Sequence, residues 1–453
     1  MNEMIGLIGE NSIKYIDIML DILIEQNIVV LVDWRIPLNI SLNMLRQLGI
    51  NKCYLERTKW KENDGVENMN IIYFDSNKNE AQKLPVSLYK KYKNISENRS
   101  KKDAIVFFSS GSTGKAKGVK LSFAAINNNV DAIIDYMHPT SEDSILISKS
   151  LAHSSTVIGE LFVGLKTNAT ILIEPTITPP GTVLKHIKKY NISIWCINPT
   201  LLSIYSKLLS EGKYQINSLK YVYFSGSIAD KHLLEESKRN FKDVLLINVY
   251  GLTEAGPRVT AQRLTSVEKI GSVGTPIKGV EVKIISEFGQ ELPPNSIGVI
   301  HVKTMSIMNG YLSGTGKKSF YLDWLNTGDL GYIDTEGDLF VVGRSDNMIL
   351  YGAHNVYPEE VEIILKKYEK IDDCIVFGIK QRIYGERIVC LYVSSSEVYE
   401  KELRNYCTKN LASYEIPHEF HKIEEILYNL NGKCMREYLK EIYKQRIFKD
   451  AKD

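Results

Sequence analysis

The sequence predicts an α/β protein: a large N-terminal domain of layered parallel sheets and helices with a small antiparallel barrel, then a small α+β C-terminal domain. Three patterns predict it. Through the first two-thirds, short β-rich apolar runs alternate with amphipathic segments, the pattern of a layered α/β domain. Between 270 and 342 apolar and polar residues alternate singly, with Gly and Pro between the runs. After GRSDNM (343–348) a compact strand-and-helix unit follows.

Taken in order, Asn11 caps a helix that sets Ile13, Ile16, Met19, Leu20 and Leu23 on one face. IVVLVD (28–33) reads as a buried strand, as do AIVFFSS (104–110), ISIWCINPT (192–200), LKYVYFSGS (219–227) and VLLINVYG (244–251). Their unbroken apolarity suits parallel strands covered on both faces. The stretch 58–102 is rich in Lys, Asn, Glu and Ser and reads as a polar surface excursion. GVEVKIIS (279–286) and VIHVKT (299–304) supply the antiparallel strands. Pro358 suits the first turn of a helix. Strands CIVFGI (374–379) and IVCLYVS (388–394) and a helix from about 398 complete the last unit. The expected domains are 1–345 and 346–453.

A chain of 453 residues exceeds the roughly 250–300 at which a single core stops growing, so more than one domain is expected. A net charge of +2, with Lys and Arg dispersed, argues against a dedicated nucleic-acid partner. No apolar run reaches the roughly 20 residues of a membrane span, and no export signal heads the sequence. Six cysteines lie scattered at 53, 196, 374, 390, 407 and 434 without a C-x-x-C pair, which suits reduced, buried thiols and a cytoplasmic location and gives no zinc site.

Residues 109–118 read SSGSTGKAKG, directly after a buried strand. Ser109, Ser110, Gly111, Ser112, Thr113 and Gly114 can bring backbone N–H groups and hydroxyls against an anion, and Lys115 and Lys117 add cations. The physical reading is a phosphate cradle; a flexible polar turn is the plainer alternative. It is not a P-loop, because Ala116 stands where that motif needs Ser or Thr after Gly-Lys.

SSGSTGKAKGV resembles the phosphate-loop signature of the adenylate-forming superfamily: acyl- and aryl-CoA ligases, peptide-synthetase adenylation domains and firefly luciferase. Four further blocks follow in the family's order: NVYGLTE (248–254), NTGDLGYID (326–334), GRSDNMILYGAHNVYPEEVE (343–362) and NGKCMREYL (431–439). The departures are Ala116 for the usual Pro and, in FSGSI (224–228), Ser225 for Gly and Ile228 for Pro.

The resemblance implies roles. Ser109 to Gly114, with Lys117, would hold the β- and γ-phosphates of ATP. Gly226, Ser227, Asn248 and Tyr250 would lie at the adenine. Thr253 would bind the α-phosphate and Glu254 the Mg²⁺ ion, as a hard cation prefers carboxylate oxygen. Asp329 would accept from the ribose hydroxyls, assisted by Arg344. Asp346 would be the hinge of a mobile C-terminal domain. Lys433 would bridge the attacking carboxylate and the α-phosphate, two anions that repel without a cation between them.

The acid is read from LAHSST (151–156), which has His153 where amino-acid-activating members carry an Asp. An aryl or fatty acid is therefore expected, with His153 as a gate and Tyr223, Gly251 and Leu252 as walls. GAHNVYPEEVE is similar to the block of CoA ligases in which Gly352 leaves room for a pantetheine arm. CoA and an acyl carrier protein offer the same thiol, and both stay open. The expected reaction makes acyl-AMP and pyrophosphate; the C-terminal domain then turns and a thiolate displaces AMP. The rivals are an amino-acid-activating ligase feeding a carrier protein, a luciferase-type oxygenase and a nucleotide sensor. Against the family the chain is short at its N-terminal end, which leaves open dimer contacts and pocket walls supplied there.

Overall fold

A computed structural model describes residues 3–57, 69–76, 80–110, 116–175, 177–226, 229, 231–262, 269, 271–312, 320–321, 323–352, 354–381, 385–429 and 433–450. Two large sheets carry most of the N-terminal unit. The first holds strands β1 (Met4–Ile8), β2 (Ile28–Val32), β3 (Lys52–Glu56) and β4 (Asn70–Phe74). The two-residue β5 (Gln82–Lys83) belongs to the second sheet, and β6 (Asp103–Ser110) and β7 (Ala116–Ser122) return to the first. The order in the first sheet is β7-β6-β2-β1-β3-β4, with Gly310–Tyr311 added antiparallel to β7. All its pairs are parallel from β6 to β4, as the unbroken apolar runs predict.

The second sheet holds β8 (Ser144–Ile147), β9 (Thr170–Ile173), β10 (Ile194–Ile197), β11 (Tyr221–Phe224), β12 (Leu245–Tyr250), β13 (Thr260–Ala261) and β14 (Thr275–Pro276). Its order is β14-β13-β12-β11-β10-β8-β9-β5, parallel from β12 to β9. Asn198 caps the helix Pro199–Ser210 by accepting from the Leu201 N–H at 2.8 Å, and Pro199 fills the first turn. Trp195, fully buried on β10, meets Tyr205 of that helix edge to face at 4.5 Å between ring centroids.

Two expectations are corrected. The cap of helix Ile13–Ile24 is Ser12, whose hydroxyl accepts from Tyr15 N–H at 3.1 Å. Asn11 is drawn away from capping: its amide donates to the Lys149 carbonyl at 2.8 Å and accepts from Leu151 N–H at 2.9 Å. The stretch 58–102 is not wholly a surface excursion. It contains β4 and the helix Val86–Ser96, which buries Leu88, Tyr92 and Ile95. Those apolar positions, spaced three or four apart among lysines and asparagines, are enough for one buried stripe.

The expected antiparallel strands form a five-stranded sheet of Val280–Ile285, Gly298–Thr304, Trp324–Ile333 and Phe320–Tyr321, with Leu339–Arg344 also paired to Trp324–Ile333. The chain divides into two compact units. One includes Met1–Gly111, Lys115–Val282 and His301–Asn326; the other includes Lys283–Ile300 and Thr327–Asp453.

The last sheet runs His354–Val356, Ile349–Tyr351, Gly385–Val393, Asp373–Gln381, with Glu419–Lys422 parallel to Gly385–Val393. Strand alternation gives it two cores. Cys374 and Val376 face one way, against Val361, Leu365, Leu403 and Cys407. Ile375 and Phe377 face the other, against Leu439 and Tyr443 of the helix Arg436–Asp450.

Candidate active site

The Ser/Gly-rich run is the connection of a β-hairpin. β6 and β7 pair antiparallel, with Ser109 opposite Lys117 and Ser110 opposite Ala116. Gly111, Ser112, Thr113 and Gly114 lie outside the described residues, as does Ser227. The hairpin root is closely packed: a Cβ on Gly118 would stand 2.7 Å from Leu312 Cδ1, so a side chain there would displace the Leu312 side chain.

Glu254 comes to this root. Its Oε1 accepts from Ser109 Oγ at 3.3 Å and from Tyr311 Oη at 3.0 Å, and its carbonyl accepts from Met308 N–H at 2.9 Å. Lys117 Nζ lies 5.5 Å from the centroid of the Tyr311 ring, a cation–π contact. Tyr311 thus touches both the predicted metal ligand and the predicted phosphate lysine. Sequence reasoning missed it; its one signal is the Asn-Gly-Tyr run at 309–311, which carries no chemistry until β7 pairs with it.

Thr253 and Glu254 sit on a single 3-10 turn, Thr253–Ala255, directly after β12. Thr253 Oγ1 is 3.0 Å from Ser154 Oγ, the residue after His153. Gly251 is demanded by contact: its Cβ would stand 1.8 Å from the Pro257 carbonyl oxygen. Leu252, half-buried, precedes the turn. Tyr223 is 2% exposed, and burial raises its phenol well above the usual range.

His153 is tied to two residues that sequence reasoning did not select. Its Nε2 lies 3.3 Å from Arg35 Nη2 and 3.5 Å from Asp33 Oδ2. The tautomer decides between them: a bare Nε2 accepts from Arg35, and a protonated one donates to Asp33. Burial would raise the Asp33 carboxyl, but the Arg35 guanidinium, at 2.9 Å from Oδ1 and 2.5 Å from Oδ2, outweighs it and holds it below the usual range.

At the adenine positions, the Asn248 side-chain amide is buried and donates to the Ser272 carbonyl at 3.0 Å. Tyr250 ends β12 opposite Thr260. Gly226 has φ +106, a backbone conformation that favours glycine, and faces open space.

In the second unit, Asp329 and Arg344 are cross-strand partners. Arg344 Nη1 donates to Asp329 Oδ1 at 2.7 Å and to the Thr327 carbonyl at 3.0 Å. Gly328, at φ +71, leaves room for that guanidinium; a Cβ there would stand 2.9 Å from Nη2. Asp346 is exposed on the 3-10 turn Ser345–Asn347, 3.7 Å from Arg344 Nη2. Gly352 turns between Ile349–Tyr351 and His354–Val356 at φ +62 and faces open space.

Lys433 is exposed. Its backbone exchanges hydrogen bonds with Asn429: N–H to Oδ1 at 3.0 Å, and carbonyl from Asn429 N–H at 2.8 Å. Nearby, Arg436 anchors the segment: Nη1 donates to Glu362 Oε1 at 2.6 Å and Nη2 to Glu359 Oε1 at 3.1 Å. This joins the PEEVE block to the NGKCMRE block, a link that linear spacing does not reveal. Among the described residues no cluster of His, Cys, Asp and Glu could by itself hold a metal, and no helix is long and apolar enough to cross a membrane.

The model of the AMP-binding enzyme family matches residues 1–312, and that of the AMP-binding enzyme C-terminal domain matches 360–433. The 2-succinylbenzoate–CoA ligase of Bacillus licheniformis is 33% identical over 341 residues, covering 74% of this chain and 69% of the relative. The 4-coumarate–CoA ligase of Pinus taeda is 30% identical, covering 74% and 64%. The o-succinylbenzoate CoA synthetase of Bacillus subtilis, solved with its acyl-adenylate intermediate, superposes with a TM-score of 0.83 at 25% identity, covering 97% of this chain and 88% of that one. The chain therefore belongs to the AMP-binding, adenylate-forming enzyme family.

Proposed function

We propose that this enzyme activates a carboxylic acid with ATP to give acyl-AMP and pyrophosphate, then transfers the acyl group to the thiol of CoA or of a carrier protein's phosphopantetheine arm. The observation that carries the reading is Glu254 at the root of the Ser109–Lys117 hairpin, with Thr253 on the same turn. The site suits Mg²⁺: Oε1 is held by two hydroxyls, and among the described residues no donor takes Oε2, which leaves a carboxylate oxygen for a hard cation. When bound, the ion would neutralise phosphate charge.

The chain's own residues then have these parts. Ser109 and Ser110, with the Gly111, Ser112, Thr113 and Gly114 backbone and Lys117, would hold the β- and γ-phosphates. Gly226, Ser227, Asn248 and Tyr250 would border the adenine, and Asp329 with Arg344 the ribose. Thr253 would donate to the α-phosphate. Lys433 would stand between the α-phosphate and the attacking carboxylate, offsetting repulsion between two anions. His153, Tyr223, Gly251 and Leu252 would border the acid, with Asp33 and Arg35 orienting the imidazole. Rotation of residues 346–453 about Asp346 would exchange Lys433 for the Gly352 turn and admit the thiol. The reaction suits a cytoplasmic enzyme, with its ready ATP and reduced thiols.

A pyrophosphate-exchange screen over aryl, fatty and amino acids tests this, followed by thioester assays with CoA and with a carrier protein. Mg²⁺-dependent exchange with an acid lacking an α-amine is expected. Exchange with amino acids alone would contradict the choice of acid, and exchange with none would contradict adenylation.

A further inference from the structure

A second group of buried polar side chains lies at the carboxyl ends of the second sheet's parallel strands, the end at which open α/β sheets bind ligands. Lys149 follows β8, Cys196 lies on β10 and Ser225 follows β11. Arg258, beyond the Thr253–Ala255 turn, reaches into the group and is 4% exposed. Its Nη1 donates to Ser225 Oγ at 3.3 Å and its Nη2 to Cys196 Sγ at 3.5 Å, while Nε is buried without a partner. The Tyr136 and Tyr223 hydroxyls are also buried and unpartnered, their rings edge to face at 6.3 Å. Lys149 Nζ lies 3.1 Å from Cys196 Sγ and 2.9 Å from Glu160 Oε1.

The balance of this cluster is uneven. The cluster holds two cations, Lys149 and Arg258, and one carboxylate, Glu160, which is paired with Lys149. Burial raises the Glu160 carboxyl, with Lys149 opposing, so any protonation there only increases the positive excess. Unpartnered donors outnumber unpartnered carboxylate oxygens: Arg258 Nε and the Tyr136 and Tyr223 hydroxyls stand against Oε1 and Oε2 of Glu160, of which Oε1 has the Lys149 ion pair, while the other Arg258 N–H groups meet one hydroxyl and one thiol. A buried guanidinium without a carboxylate partner is costly. Room is kept for it, since a Cβ on Gly159 would stand 3.1 Å from Nη2. Gly159 and Glu160 lie on a π-helical stretch, Val157–Phe162, a distortion often found at functional sites.

The same helical run ties the cluster to the reaction end. It begins at Ser154, which touches Thr253, and reaches Gly159 about 7–8 Å further on at ~1.5 Å per residue. We infer that this cluster is the far end of the acid pocket, and that the acid carries a second carboxylate which sits against Arg258, Tyr223 and Tyr136. The inference rests on the adenylation reading and narrows its substrate class to dicarboxylic acids.

The test is pyrophosphate exchange by the full chain with succinate, glutarate, adipate and phthalate, each against its one-carboxylate counterpart: butyrate, valerate, hexanoate and benzoate. The best dicarboxylate should exceed its counterpart in kcat/KM by roughly 10- to 100-fold. Arg258→Gln should collapse that ratio toward one, and Arg258→Lys should keep part of it. Each ratio is taken within one preparation, so it does not depend on how much of a variant folds. Wild-type preference for the one-carboxylate acids, or an unchanged ratio in Arg258→Gln, would overturn the inference and leave adenylation standing. Exchange with no acid of any class would overturn adenylation, and the inference with it.

Discussion

Glu254 and Lys433 stand in contrasting surroundings. Glu254 is half-buried, held by two hydroxyls and its own backbone carbonyl, on a turn whose neighbours Gly251 and Gly256 tolerate no side chain. Lys433 is exposed and held through its backbone by Asn429. Three residues on, Arg436 pairs with Glu362, and those side chains are 11% and 13% exposed. The contrast teaches that the proposed Mg²⁺ ligand is fixed by its neighbours, whereas the proposed catalytic ammonium extends from an exposed residue held through its backbone.

The contrast breaks most severely at the Arg436–Glu362 pair. Arg436→Ala leaves Glu362 buried without its cation, and a loss of about 3–5 kcal/mol is expected. A thermal melt should show the second unit destabilised while the first still unfolds near its usual temperature. At the other end, Gly251→Ala pushes a methyl to 1.8 Å from a backbone oxygen. Overpacking of this kind costs about 1–3 kcal/mol, here expressed in the first unit's melt together with loss of exchange activity. A melt unchanged in either variant would blur the distinction.

Smaller changes sharpen it. Tyr311→Phe removes one hydrogen bond to Glu254, worth about 1 kcal/mol. The Mg²⁺ concentration for half-maximal exchange should shift by about five-fold, while thioester formation from supplied acyl-AMP stays unchanged. The smallest effect is in acid. Burial would raise Asp143, but Lys220 and the Thr140 and Ser193 donors outweigh it, and its carboxyl lies below the usual range. Its stabilising contribution is complete above the ordinary carboxylate range, about pH 4, and fades as pH falls through its folded value. Asp143→Asn should flatten the acid limb of stability against pH; a steeper limb would contradict the sign.

The parallel strands were legible because burial on both faces leaves unbroken apolar runs. The helix cap was misread because Asn11 and Ser12 are both good caps, and the choice turned on the distant loop at Lys149 and Leu151. The helix Val86–Ser96 was hidden because a narrow buried stripe is outnumbered by lysines and asparagines. Glu254 and Thr253 were legible from a contiguous motif. Tyr311, Asp33, Arg35 and Arg436 were not, since each acts across a sheet pairing or loop contact between residues far apart in sequence.

The most direct test of the account is Lys433→Ala, assayed separately in the two half-reactions. Pyrophosphate exchange should fall by roughly 10²–10³-fold, the scale of losing one charge-stabilising donor, while thioester formation from supplied acyl-AMP persists. Equal loss in both half-reactions, or none in the first, would contradict the role given to that ammonium.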